Sequence, residues 1–322
     1  MALVNLKEML RDASLRRYAV GMFDVSDLEM IRAVAEEADA LRAPVTLGAL
    51  GPDVDGDRLE YWFRIAKLAA EKAVAPVCIH LDHANTPEEV KRAADIGFTS
   101  VMLDASASPF DENIRRSREV VEALKSRGIT VEAELGHVGN GWVGSAEGGE
   151  VAPDMLTEPE TVAEFVERTG VDALAVSIGT AHGIYISAPK LDIERLDRIK
   201  RVSDIPLVLH GGSGTPEDQL STAITHGICK VNIYSELISA WNTAMLEELK
   251  QLPHMAAWPS RLRQKPDAAM REVIRRKIRF FGSEGRARFR GGRFPGGDLK
   301  DFPSRGRRSL LFTRKEVKQN AR

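Results

Sequence analysis

The strongest constraint on this chain is a rhythm. Eight short apolar runs, at residues 19–23, 44–47, 77–81, 100–103, 130–135, 173–178, 206–209 and 230–233, alternate with longer segments. Those segments (27–41, 59–72, 87–96, 113–127, 160–169, 193–201 and 217–226) carry Leu, Ile, Val and Ala three and four residues apart, which is helical spacing. Continuous apolar strands alternating with such helices form a parallel sheet whose outer face the helices cover. Eight units within about 250 residues predict a (β/α)8 TIM barrel. The competing fold is an open doubly wound sheet, and the count of eight with no Gly-x-Gly-x-x-Gly after the first run favours the barrel. Thr86-Pro87-Glu88-Glu89 is a helix-start signature, and Gly97 and Gly128 stand where helices should stop.

Beyond the eighth run, 235–249 and 268–281 read as two further amphipathic helices joined by a connection containing Pro253, Pro259 and Pro266. Residues 1–285 are expected as one barrel domain. From Arg286 onward the sequence is rich in Gly, Arg and Pro, and 286–322 is expected as a flexible, solvated extension. The charge divides at the same place: this tail has a balance of +9 and the preceding residues −11. A basic tail is one way to hold nucleic acid, but this one contains no recognisable binding module, so nucleic acid is not an expected partner. No apolar run reaches the ~20 residues of a membrane span, and the N-terminal residues mix Lys, Glu and Arg where a signal peptide is apolar. A cytoplasmic protein without membrane contact is expected. Cys78 and Cys229 are the only cysteines, so any metal must be held by His and carboxylates.

In a TIM barrel the chemistry sits at the C-terminal ends of the strands. There this sequence concentrates polar groups: His80, Asp82 and His83 on the third run, Asp104 after the fourth, Glu132 and Glu134 on the fifth, His182 after the sixth, His210 after the seventh and Asn232 on the eighth. His83, His182 and His210 come from different strands of one ring and can point together, and three imidazoles with an open fourth position are a ligand set of catalytic Zn2+. His137, His226 and His254 read as ordinary hydrogen-bonded histidines. The Gly-rich turn His210-Gly211-Gly212-Ser213-Gly214 and the segment Asn232-Ile233-Tyr234-Ser235, which opens a helix, follow the seventh and eighth runs. Such loops expose backbone N–H groups and a helix N-terminus, and in TIM barrels they commonly bind phosphate.

The segments HLDH (80–83), GFTSVMLDAS (97–106), VEAELGHVG (131–139), VDALAVSIGTAHG (171–183), PLVLHGGSG (206–214) and KVNIYSE (230–236) together resemble the class II, zinc-dependent ketose-bisphosphate aldolases of the fructose- and tagatose-bisphosphate group. The resemblance implies zinc on His83, His182 and His210, with Asp82 as catalytic proton donor and acceptor. It places a second divalent site at Glu134 and Asp104. It implies a triose phosphate site at Gly183, Gly211, Gly212, Ser213, Asn232, Ile233, Tyr234 and Ser235, with Na+ or K+ nearby, and a homodimer or homotetramer. The implied reaction is reversible cleavage of a ketose 1,6-bisphosphate to dihydroxyacetone phosphate and glyceraldehyde 3-phosphate through a zinc-stabilised enediolate. An aldolase of the other mechanism needs a Schiff-base Lys, and Lys230 is read as starting the eighth strand, at the wrong end of the barrel.

Three features depart from that family. Phe23-Asp24 stands where it has Phe-Asn. The loop after Gly139 lacks the usual acids, leaving Glu147 and Glu150 as the nearest candidates. The tail has no counterpart. These departures keep two alternatives in view: an aldolase for another phosphorylated ketose, or a non-catalytic protein that binds zinc and phosphate. For the distal phosphate the candidates are Arg271, Arg275, Arg276 and Lys277.

Overall fold

Eight strands, β1 (Val20–Asp24), β2 (Val45–Leu50), β3 (Val77–Ala84), β4 (Ser100–Leu103), β5 (Thr130–Leu135), β6 (Ala173–Val176), β7 (Leu207–Leu209) and β8 (Ile228–Ile233), pair in chain order, and β8 returns to β1 to close the ring. Every pairing is parallel. The protein is seen in a computed structural model that describes residues 3–51, 54–139, 152–183, 185 and 188–287. Helices α2 (Leu28–Leu41), α3 (Arg58–Lys72), α4 (Pro87–Ile96), α5 (Phe110–Leu124), α6 (Pro159–Thr169), α7 (Ile193–Val202) and α8 (Glu217–Thr225) each follow the strand of the preceding number. This is the (β/α)8 barrel that the alternating runs predict. Several strand ends differ from expectation: β2 and β3 run on to Leu50 and Ala84, β6 stops at Val176, and β8 begins at Ile228, two residues early.

Local chemistry sets the helix boundaries. Thr86 Oγ1 accepts from Glu89 N at 3.2 Å while Glu89 Oε2 accepts from Thr86 N at 3.3 Å, closing a capping box at α4. Past β8 come α9 (Ser235–Lys250), the short α10 (Pro259–Leu262) and α11 (Gln264–Phe280). Arg271 and Arg275 of α11 meet the buried Glu37 of α2 at 3.2 and 3.0 Å, pinning α11 to the barrel wall. Gly285 N and Ala287 N donate to Leu41 O and Arg42 O, so chain contacts continue just past the expected end of the domain.

Helix α1 (Leu6–Arg16) is absent from the sequence reading. Its signals are Asn5, which caps by accepting from Glu8 N, and the spacing of Leu6, Met9, Leu10 and Ala13. Those four residues form one buried cluster with Tyr18, Val20, Cys78, Ala173, Ala175, Val208 and Cys229, of which Val20, Cys78, Ala173 and Cys229 are the first or second residues of their strands. The helix therefore covers the N-terminal mouth of the barrel.

One irregularity shapes the opposite mouth. Pairing of β3 with β4 runs His80 to Ser100 and Leu81 to Val101, then jumps to Ala84 with Leu103. Asp82 and His83 thus share the space of one partner residue, which is a β-bulge. His83 pays for its place with a left-handed backbone, φ +47°, a conformation that costs a non-glycine residue about 1–2 kcal/mol.

Candidate metal centre and active site

His83 stands on the bulge, His182 in the loop after β6 and His210 one residue past β7. One ligand atom from each lies within 4.8 Å of the others. The rings meet edge to face, with centroids 4.8 Å apart for His83 and His182 and 4.6 Å for His83 and His210. His83 Nε2, His182 Nε2 and His210 Nδ1 are all buried without a hydrogen-bond partner. Leaving such groups unpaired is costly, and three nitrogen donors that converge on one point fit Zn2+, whose ligand preference they match.

The outer nitrogens of two of these rings are anchored. His83 Nδ1 lies 2.8 Å from Asp104 Oδ2, and the other Asp104 oxygen accepts from Ser106 N at 3.1 Å and Ser106 Oγ at 2.7 Å. Burial pushes the Asp104 carboxyl up, but His83 and Ser106 more than offset this and hold it far below the usual carboxylate range. His210 Nε2 lies 3.0 Å from Glu132 Oε1, and its Nδ1 is 3.2 Å from Glu134 Oε2, outside hydrogen-bonding geometry. Burial disfavours its charged form, yet the two carboxylates outweigh this and push His210 up to about 10. A proton and a metal ion therefore compete for Nδ1. Burial, with the charges of His83 and His210, pushes His182 down to about 3.

Glu134 Oε1 accepts from Val138 N at 2.9 Å while Oε2 lacks a hydrogen-bond partner. With His83 and Asp104 it forms a second cluster within 4.8 Å, where the sequence places a second cation. Asp104, however, is already engaged as the anchor of His83.

Asp82 is buried beside the three imidazoles. Its oxygens lie 3.3 Å from Asn232 Nδ2, 3.6 Å from His80 Nε2 and 3.8 Å from His83 Nε2. Burial alone would raise its pKa, but the charges of His83, His210 and Lys230 and the His80 contact hold it well below the usual range. It is therefore held as a carboxylate. Asp24, the last residue of β1, behaves oppositely: burial, then the charge of Asp82, lift it well above the usual range. Its Oδ1 fills the space where a Cβ on Gly48 would stand.

The two loops expected to bind phosphate come together in part. Ser213 Oγ accepts from Tyr234 N at 3.2 Å and Glu236 N at 3.3 Å, tying the Gly-rich turn to the N-terminus of α9. A cavity of about 540 Å³ is lined by Gly183, Ser213, Ser235, Glu236 and Arg276. Gly211 and Gly212 admit no side chain, since a Cβ would strike Ala181 O and Val231 Cγ1 respectively. The Asn232 side chain turns to Asp82, and Ile233 packs in the core, so neither side chain faces this cavity. Of the four cationic candidates on α11, only Arg276 lines the cavity. Arg271 and Arg275 are engaged with Glu37, and Lys277 Nζ lies 2.7 Å from Glu236 Oε2. Glu147 and Glu150 lie outside the described residues.

Lys230 requires a correction. It is the third residue of β8 rather than its first, and its ammonium is buried 3.0 and 2.9 Å from the two oxygens of Glu132. Burial pushes Glu132 up, but Lys230 and His210 pull it down to about 2. The sequence reading also passes over Tyr185, whose hydroxyl lies 2.8 Å from Ala181 O and 2.9 Å from Gly211 O, with one proton to donate between them, and so joins the two loops beside the cavity. No periodic or motif signal marks it.

Comparison with known proteins agrees with this arrangement. Over 291 residues the chain is 38% identical to 6-phospho-5-dehydro-2-deoxy-D-gluconate aldolase of Bacillus licheniformis, covering 89% of this chain and 97% of that protein. It is also 38% identical to fructose-bisphosphate aldolase of Geobacillus stearothermophilus, covering 89% and 99%. The crystal structure of the YdjI aldolase of Escherichia coli K12 superposes with a TM-score of 0.78 at 36% identity, covering 89% of this chain and all of that one. The family described as fructose-bisphosphate aldolase class-II matches residues 4–286. With barrel, imidazole cluster and relatives in agreement over nearly its whole length, the chain belongs to the class II fructose-bisphosphate aldolase family.

Proposed function

We propose that the protein is a zinc-dependent aldolase acting on a ketose 1,6-bisphosphate of the fructose or tagatose type, with dihydroxyacetone phosphate and glyceraldehyde 3-phosphate as products. The observation that carries this reading is the convergence of three unpartnered imidazole nitrogens beside a buried, ionised Asp82. His83, His182 and His210 would hold Zn2+, which when bound supplies Lewis acidity to the sugar carbonyl. Asp82 takes the proton of the C4 hydroxyl as the C3–C4 bond breaks and returns it on condensation. Asn232, within 3.3 Å of both Asp82 oxygens, orients that carboxylate. Gly183, Ser213 and Ser235 receive the triose phosphate, and Arg276 brings a positive charge to the same cavity.

The reading extends to a second divalent ion at Glu134 and Asp104, to Na+ or K+ near the phosphate, and to a cytoplasmic homodimer or homotetramer. The catalytic domain spans 1–285, with 286–322 as an appended basic tail.

Asp24 favours a second reading, an aldolase for another phosphorylated ketose. A buried acid held toward its neutral form faces the site at the end of β1. One relative is itself named for 6-phospho-5-dehydro-2-deoxy-D-gluconate rather than fructose bisphosphate. The proton-transfer assignment is tested with Asp82→Asn. Zinc should remain bound while cleavage falls by about 10²–10⁴-fold; unchanged cleavage would refute the role of Asp82.

A further inference from the structure

We propose that Glu132, gripped by Lys230, is a positioning residue that fixes the tautomer of His210 and thereby aims Nδ1 at the other two imidazoles. Lys230 Nζ lies 3.0 Å from Glu132 Oε1 and 2.9 Å from Oε2. An ammonium can only donate, so both carboxylate oxygens serve it as acceptors. His210 Nε2 sits 3.0 Å from Oε1, and a proton on Nε2 fills that contact. In the neutral ring, the form a metal requires, Nδ1 then keeps its lone pair, and Nδ1 is the nitrogen buried without a hydrogen-bond partner beside His83 and His182. Glu132, Lys230 and His210 are fully enclosed in the barrel, so water does not compete for these contacts.

The cluster needs this device because its two anchored rings are used in opposite senses. His83 is anchored through Nδ1 by Asp104 and presents Nε2. His210 is anchored through Nε2 by Glu132 and presents Nδ1. The ammonium of Lys230 compensates a carboxylate that would otherwise be buried alone. A lysine within the barrel thus serves the metal centre from beneath it, acting through Glu132 and His210.

This inference rests on the zinc reading, and its test separates the two. Zinc affinity is measured by competition with a chromophoric chelator for E132Q/K230M, which keeps an acceptor for His210, and E132L/K230M, which removes it. Both eliminate the ion pair, so a merely structural role would affect them alike. The expected result is near-parental affinity in the first and about 10–100-fold weaker binding in the second. Equal affinities in the two variants would overturn the inference. The wild-type protein supplies a check independent of the variants: ¹⁵N NMR of the zinc-loaded form should show His210 protonated at Nε2 and coordinated through Nδ1. Coordination through Nε2 would overturn it. Failure of the wild-type protein to take up zinc would strike both readings, whereas uptake with the other tautomer strikes this one alone.

Discussion

The carboxylate of Asp104 stands 2.8 Å behind Nδ1 of His83, on the far side of the ring from the nitrogen that faces the imidazole cluster. Such a partner fixes both ring orientation and proton position. Asp104→Ala should therefore weaken zinc binding by about 10–100-fold while the barrel stays folded. Chelator competition with circular dichroism checks this; parental affinity in the folded variant would show that Asp104 does not orient His83.

Gly48 leaves the space that the Asp24 carboxyl group occupies. A methyl at this position overlaps Asp24 Oδ1, and β2 offers no space to retreat within the closed sheet. Gly48→Ala should cost about 1–3 kcal/mol through overpacking. Asp24→Ala removes the obstruction, so the double variant should lose less than the two single losses added together. Urea unfolding of the four proteins reads the coupling, and strict additivity would contradict the close approach.

These side chains show where sequence suffices and where it stops. The eight strands and the His83, His182 and His210 set are legible because alternation and strand-end position are local properties of the chain. The bulge that turns both Asp82 and His83 toward the mouth is hinted at only by their adjacency. The Glu132–Lys230 contact joins residues 98 positions apart, and the start of β8 at Ile228 decides which way Lys230 points. Helix α1 carried a readable cap and spacing. By contrast, Tyr185 gains its role only when two loops meet in space.

Asp27 caps α2 through Met30 N at 2.9 Å and receives Arg263 at 2.7 and 3.1 Å. Asp27→Ala should cost about 0.5–2 kcal/mol at neutral pH from the lost cap. Burial pushes the Asp27 carboxyl up, but Arg263 and the cap hydrogen bond pull it below its ordinary range. A depressed folded-state pKa gives stability that is complete above the unfolded value, about 3.9, and lost as pH falls through the folded one. The stability gap between wild type and variant should therefore shrink below about pH 4, as denaturant midpoints across pH 3–7 would show. A gap that widens on acidification would contradict the assignment.

Glu37 receives two arginines from α11 while lying only 6% exposed. Removing one member of a buried ion network leaves the others uncompensated, at a cost that reaches about 3–5 kcal/mol for full burial. Because Arg271 and Arg275 retain solvent contact, Glu37→Leu should cost less, about 1–3 kcal/mol. Thermal unfolding measures it, and an unchanged midpoint would show that α11 is held by packing alone.

Zinc-assisted aldol cleavage with Asp82 carrying the proton is tested most directly by one assay. Cleavage of fructose 1,6-bisphosphate and tagatose 1,6-bisphosphate is followed side by side, with added zinc and with chelator, reading released triose phosphate through a coupling enzyme. At least one sugar should be cleaved with zinc, and cleavage should be lost on chelation. Full activity after thorough chelation, or silence on both sugars from a folded, zinc-loaded protein, would contradict it.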